Sequence, residues 1–397
     1  MPEVRFEEFS EEWQESKLSD IVKLFGGNAF SSSDSSSFGV PWLKIANVGI
    51  NGIDWSTPSY LPDEFWTGYK DYRLYKGDYV MALTRPILNH VLKISIVDKE
   101  ALLNQRVAKL IFSTNAEYGY QLLQRKSIVD KIENELAGTD PPNLGSGNLK
   151  NINISTTLNK DEQSKIGNFF KRLDNIITFH QQELTTLKKT KQGFLQKMFP
   201  KEGESLPEVR FPGFTEGWEQ RKLSDIAVFN PKSVLPEQFE YVDLESVLGT
   251  ELISHRTEHR ESAPSRAQRL AKQGDVFFQT VRPYQKNNYL FDLPYDNYVF
   301  STGYAQMRPN IDSYFLFSRL QEEKFVSNVL DRCTGTSYPA INSNDLAQIE
   351  VGIPTLGEEQ TKIGRFFKQL DNTINLHQRE LDALKETKKA FLQKMFV

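Results

Sequence analysis

The chain has 397 residues, of which 39% are apolar and 25% charged, with a net charge of −4. This composition is too apolar for a disordered chain, and the length suffices for two domains. A single cysteine, Cys333, excludes an internal disulfide and a cysteine-based zinc site, and no apolar run approaches a membrane span or secretory leader, so a reducing cytoplasm is the expected setting.

From the N-terminus, residues 1–157 carry a net charge of −4 and read as a mixed domain. Ser31 to Ser37 is a serine-rich loop, read as a linker in preference to a tip that orders on a ligand. Strands are expected at Val80–Leu83, Ile94–Val97 and Val107–Phe112, the first preceded by the turn signal Lys76-Gly77-Asp78. Residues 117–136 read as a helix leading into a Gly138-Thr139 loop. Residues 158–200 are basic, at +4, and carry a heptad through Phe170, Leu173, Ile177, His180, Leu184 and Leu187, with no proline inside. Phe169, Ile176 and Leu195 widen that apolar stripe, which hints at a further partner. Pro200 ends the helix and residues 201–206 form a polar linker.

The chain then repeats itself. Pro2-Glu3-Val4-Arg5-Phe6 returns at Pro207 to Phe211, Trp13 at Trp218, and Lys17 to Ile21 at Lys222 to Ile226, all at an offset of 205. Further along the offset is 197: Gly77-Asp78 matches Gly274-Asp275, Arg85-Pro86 matches Arg282-Pro283, and Gly138-Thr139 matches Gly335-Thr336. Residues 162–199 and 359–396 agree at 26 of 38 positions. The second domain, residues 207–353 at −5, therefore repeats the first, with strands expected at Val276–Gln279 and Ile349–Val351 and a helix over 312–331. Residues 354–397, at +2, repeat the heptad through Phe367, Leu370, Ile374, His377, Leu381 and Leu384. The fold class is α+β: two similar mixed α/β domains joined by two long antiparallel coiled-coil helices in a pseudo-two-fold arrangement. Antiparallel pairing would bring His180 near His377, where polar seam residues can fix register.

The Trp-x-x-x-Lys-Leu-x-Asp-Ile openings, the Gly-Asp turns, the Gly-Thr loops and the endings Glu-Gln-x-Lys-Ile-Gly-x-Phe-Phe-Lys-x-Leu-Asp and Phe-Leu-Gln-Lys-Met-Phe resemble type I restriction–modification specificity subunits over almost the whole chain. The resemblance implies two target-recognition domains, each reading half of a bipartite DNA site, and helices that set the gap. It also implies two docked modification subunits that bind S-adenosylmethionine and methylate adenine, and restriction subunits that use ATP and Mg. The chain itself would be non-catalytic. The rival readings are a self-contained enzyme, a coiled-coil scaffold that never meets DNA, and a specificity protein without active partners.

Chemistry-bearing motifs are few. Asp140-Pro141-Pro142-Asn143 nearly matches the tetrad of adenine methyltransferases but lacks its aromatic, and Ser337-Tyr338-Pro339-Ala340 in the second half lacks the acid. His255 and His259, four apart, would share a helix face but have no third metal ligand. With acidic domains, DNA contact must come from local basic patches. The candidates are Arg256, Arg260, Arg266, Arg269 and Lys272 in the second domain and Lys70, Arg73 and Lys76, interleaved with Trp66, Tyr69, Tyr72 and Tyr75, in the first. The matched loops add Arg85, Arg282, Lys286, Thr139 and Thr336. A solvated strand edge with salt bridges explains the two basic runs equally well.

Overall fold

The computed structural model describes residues 1–397 except 137–139, 202 and 336. The chain folds as two compact units, one of Met1–His180 with Glu380–Val397, the other of Gln181–Arg379. Each long helix, Lys160–Lys197 and Gly357–Lys394, contributes one part to each unit.

In the first unit a base sheet has the strand order Val22–Gly26, Val107–Phe112, Tyr79–Ala82, Ile94–Ile96. Above it an outer sheet runs Tyr60–Leu61, Val40–Leu43, Ala101–Leu103, Arg73–Leu74, with Val40–Leu43 and Ala101–Leu103 parallel. The strand Tyr79–Ala82 is buried throughout because both its faces are covered. Tyr79 and Met81 join the core with the helices, while Val80 and Ala82 join the core between the sheets, as the two-residue strand period requires. The helix expected over 117–136 is two helices, Ala116–Gln124 and Lys126–Glu135, broken at an extended Arg125. No proline or glycine marks the break. It lets Leu122 and Leu123 of one segment and Ile128, Val129 and Ile132 of the other enter the same core.

The second unit repeats this topology. Its base sheet is Ala227–Phe229, Tyr304–Pro309, Val276–Gln279, Tyr289–Leu290, and its outer sheet is Arg256–His259, Gln238–Val242, Tyr298–Ser301, Ala267–Leu270. Its central base strand alternates in the same way, Val276 and Phe278 facing the helices and Phe277 the outer sheet. Here too the expected helix is split, into Ser313–Leu320 and Glu323–Leu330. The strand expected at Ile349 begins at Glu350 and pairs with Glu219–Lys222, as Asn153–Thr156 pairs with Gln14–Lys17 in the first unit.

The Gly-Asp turns have a physical reason in both units. Gly77 and Gly274 take φ of +97° and +92°, a region that favours glycine. The next residue, Asp78, accepts from the Tyr75 amide (2.8 Å) and from Lys109 Nζ (2.7 Å) of the neighbouring strand. Asp275 accepts from the Lys272 amide and takes a bidentate pair from Arg308 at 2.8 and 2.7 Å.

The long helices run antiparallel within each unit. In the first, Phe169 meets Phe391 (ring centroids 5.0 Å), Lys388 pairs with Asp174 (2.6 Å), and His180 lies 3.8 Å from Glu380. In the second, His377 lies 3.8 Å from Glu183, Lys191 pairs with Asp371 (2.5 Å), and Phe194 meets Phe366 (4.9 Å). Phe170, Leu173, Leu184, Phe367, Ile374 and Leu381 are buried, and Ile177, His180, Leu187, Leu370, His377 and Leu384 half-buried.

Candidate nucleic-acid interface

Each globular domain is clamped by the helix segments of its own unit. Arg5 Nε and Nη2 donate to the two carboxylate oxygens of Glu162, in the first turn of the central helix, at 2.6 and 2.9 Å. Arg210 grips Glu359 in the same way at 2.6 and 2.8 Å. The repeated Pro-Glu-Val-Arg-Phe and Glu-Gln motifs thus bind each other in both units. Burial pushes the Glu162 carboxyl up, but the bonds from Arg5, Thr157 and Trp13 outweigh it and hold its pKa below the usual value. The adjacent Gln163 accepts from the Asn115 amide (3.1 Å) and donates to the Thr157 carbonyl (2.8 Å). Gln360 repeats both bonds with Asp312 and Pro354. Asn115 and Asp312 cap the helices Ala116–Gln124 and Ser313–Leu320, and Gly167 and Gly364 let those caps approach: an added Cβ would lie 2.7 Å from Asn115 Oδ1 and 2.3 Å from Asp312 Oδ1. These clamp residues went unassigned by sequence reasoning, although Asn115 and Asp312 match at the 197 offset and are good N-cap types.

The basic run His255 to Lys272 does not form one patch. Arg256 lies on the edge strand Arg256–His259, and Arg269 on the opposite edge strand of the same four-stranded sheet, with Arg260 and Arg266 at either end of the connection. At about 4.8 Å per strand the two edges are roughly 14 Å apart. Arg256 is exposed but bonded to Glu258 (2.8 Å) and Asp243 (2.6 Å), both of which raise its pKa. Arg260 reaches the Leu235 carbonyl, Arg269 is half-buried with its pKa lowered by desolvation, and Arg266 and Lys272 are exposed. His255 and His259 lie beside and within the edge strand, which corrects the helical reading, and His255 Nδ1 is 2.8 Å from Glu240.

In the first domain Arg73 is half-buried, donates to the Trp66 carbonyl (2.6 Å) and lies over the Trp66 ring, whereas Lys70 and Lys76 are exposed. The serine-rich loop holds a short 3₁₀ turn capped by Ser31 and Asp34. Lys286 is tied to the Gln321 carbonyl and to Glu323.

The two matched loops do converge. The Arg85 amide donates to the Pro142 carbonyl and the Arg282 amide to the Pro339 carbonyl, each at 2.8 Å. Asn143 of the near-tetrad accepts from Thr84 Oγ1 (2.6 Å), a structural tie. Arg85 and Arg282 both take left-handed φ, at 48° and 54°, unusual for a non-glycine residue, and Arg282 lies over the exposed Tyr338 ring. Thr139 and Thr336 lie outside the described residues. Between Asp78 and Asp98, and between Asp275 and Asp292, neither chain segment has an acidic residue. Arg85 is exposed and Arg282 half-buried, each in a stretch that carries no acidic residue of its own.

Fold and site together define a class: a tandem protein with two copies of one mixed α/β domain, each with an arginine loop bonded to a proline loop and each held by paired long helices. A family model described as the type I restriction modification DNA specificity domain matches residues 10–189 and again 215–386, and the chain belongs to that family. It is similar to the type I restriction enzyme MjaVIII specificity subunit of Methanocaldococcus jannaschii, 34% identical over 47% of this chain, a match that spans 45% of that protein's length. A putative MjaX specificity subunit of the same organism is 22% identical over 97% of this chain and 93% of its own. Among solved structures, the type I restriction–modification S subunit from M. genitalium aligns over 100% of this chain and 99% of its own, with a TM-score of 0.68 at 16% identity, a likeness of fold.

Proposed function

We propose that this chain is the DNA-reading subunit of a type I restriction–modification complex. Each globular domain, within residues 1–157 and 207–353, reads one half of a bipartite site on double-stranded DNA. The paired helices set the gap between the halves. The observation that carries this reading is the doubling of one domain frame, with its arginine and proline loops and its helix clamp, in a family of DNA specificity domains.

The chain supplies recognition and no chemistry. Modification subunits bring S-adenosylmethionine, and restriction subunits bring ATP and Mg. Phe179 and Leu376, at matched positions on the long helices, are each 57% exposed, which supports docking of a protein partner there. Among the described residues no helix is long and apolar enough to cross a membrane. We place the complex in the cytoplasm, with the DNA.

Sequencing methylated adenines in cells that carry this gene with its partner subunits tests the reading. The expected result is one split motif whose first half follows one domain and whose second half follows the other. Exchanging residues 1–157 for another family member's domain should change one half only; a motif that ignores the exchange refutes the assignment.

A further inference from the structure

The first domain carries an element that the repeat does not share. After the left-handed Arg85, the strands Ile87–Leu88 and Val91–Leu92 form a hairpin closed by Asn89 and His90, at φ of 52° and 59°. Two successive positive φ values in a two-residue loop are the geometry of a type I′ turn, whose twist matches that of the strands. The hairpin has a firm root. Pro86 and Leu92 are buried, Leu92 lies in the core with the two domain helices, and the Lys93 amide donates to the Pro86 carbonyl at 2.7 Å. Its tip is open: Leu88 is 48% exposed, and Asn89 and His90 are exposed. At the same place in the second domain stands a single 3₁₀ turn, Pro283–Gln285, that presents Tyr284. The loop frame is shared while the tip differs.

The charge around the hairpin points the same way. No carboxylate occurs in the sequence from Tyr79 to Val97. Among the described residues neither Arg85 nor Lys93 forms an ion pair, and Lys93 has its pKa lowered by desolvation and by the nearby Arg85. Two cations crowded together without a counter-ion are relieved by an anion from outside. A two-stranded ribbon fits the major groove, where an asparagine side chain can bond both the N6 and N7 edge atoms of adenine. Flanking cations hold phosphates and set the register.

We propose that this hairpin enters the major groove of the first half-site, with Asn89 and His90 meeting purine edges and Arg85 and Lys93 holding the flanking phosphates. The proposal rests on the DNA-reading function above and names the element that delivers it in the first domain. The test uses the full chain assembled with its modification subunits. Asn89→Gly with His90→Gly removes both side chains and keeps the left-handed turn. The methylated motif is then read by sequencing, and the melting temperature of the complex is recorded. The expected result is a relaxed first half-site, with discrimination at one or two positions lowered on the order of 10- to 100-fold, while the second half-site, the gap and the melting temperature stay as in the wild type. An unchanged first half-site overturns the hairpin proposal and leaves the DNA-reading function standing. Loss of all methylation with a lowered melting temperature makes the hairpin scaffold and also overturns it. A wild-type complex that yields no bipartite motif overturns both.

Discussion

Arg5 and Glu162 show how two short motifs far apart in the chain come to specify one contact. The Glu162 side chain is fully buried and Arg5 only 9% exposed, so neither charge tolerates losing the other. Arg5→Ala should cost about 3–5 kcal/mol in chemical denaturation, whereas replacing both partners by apolar residues of similar volume should cost far less. The pair also has a pH signature. Because the folded-state pKa of Glu162 is lowered, its stabilisation is complete above the ordinary glutamate value and fades as pH falls through the folded value. The Arg5→Met, Glu162→Leu double variant should lack that acid-side component in denaturation curves taken across the pH series. The glycines of the central helix give a second prediction at this scale. Gly193 has nothing within 4 Å of an added Cβ, and the matched residue is Ala390, so Gly193→Ala should stabilise by about 1 kcal/mol through helix propensity. Gly167→Ala meets the Asn115 cap and the Tyr118 amide and should lower the melting temperature instead, despite the same gain in propensity.

The long helices and the central base strand were the elements most legible in the sequence. The helix seam repeats every 3.5 residues, and the strand covered on two faces is a continuous apolar run. The break at Arg125 was invisible because tertiary packing of Leu122 and Ile128 imposes it without a local breaker. The basic run around Arg256 to Lys272 misled for a related reason. Proximity in sequence says nothing about which edge of a sheet a strand occupies, and here the chain crosses from one edge to the other. The Arg85 and Arg282 loops were legible as matched positions, but their contact with the proline loops was not, since it is made by backbone atoms that carry no sequence signal. At this scale the ties between the helices can be tested. Lys388 and Lys191 sit at seam positions against Asp174 and Asp371, which also accept from Gln121 and Tyr314. Lys388→Met should weaken the packing of the C-terminal helix, read as faster amide exchange over residues 380–397, with exchange over 357–370 unchanged.

For the whole molecule the doubling is the organising fact. Each domain is built on the start of its own outgoing helix and on the end of the other helix: Ile166 and Phe170 share a core with Met395 and Phe396, and Ile363 and Phe367 share one with Met198 and Phe199. The repeated ending Phe-Leu-Gln-Lys-Met-Phe is therefore an anchor in both copies. Two helices of 38 residues each, about 57 Å at 1.5 Å per residue, are long enough to act as a ruler on DNA. The direct test is to remove one matched heptad from each helix, residues 177–183 and 374–380, and to read the methylated motif of the assembled complex. Seven residues correspond to roughly 10 Å of helix, or about three base pairs at 3.4 Å each. Both half-sites should stay unchanged, with a gap shorter by about three base pairs. A shortened protein that still methylates the original motif with the original gap would contradict the ruler.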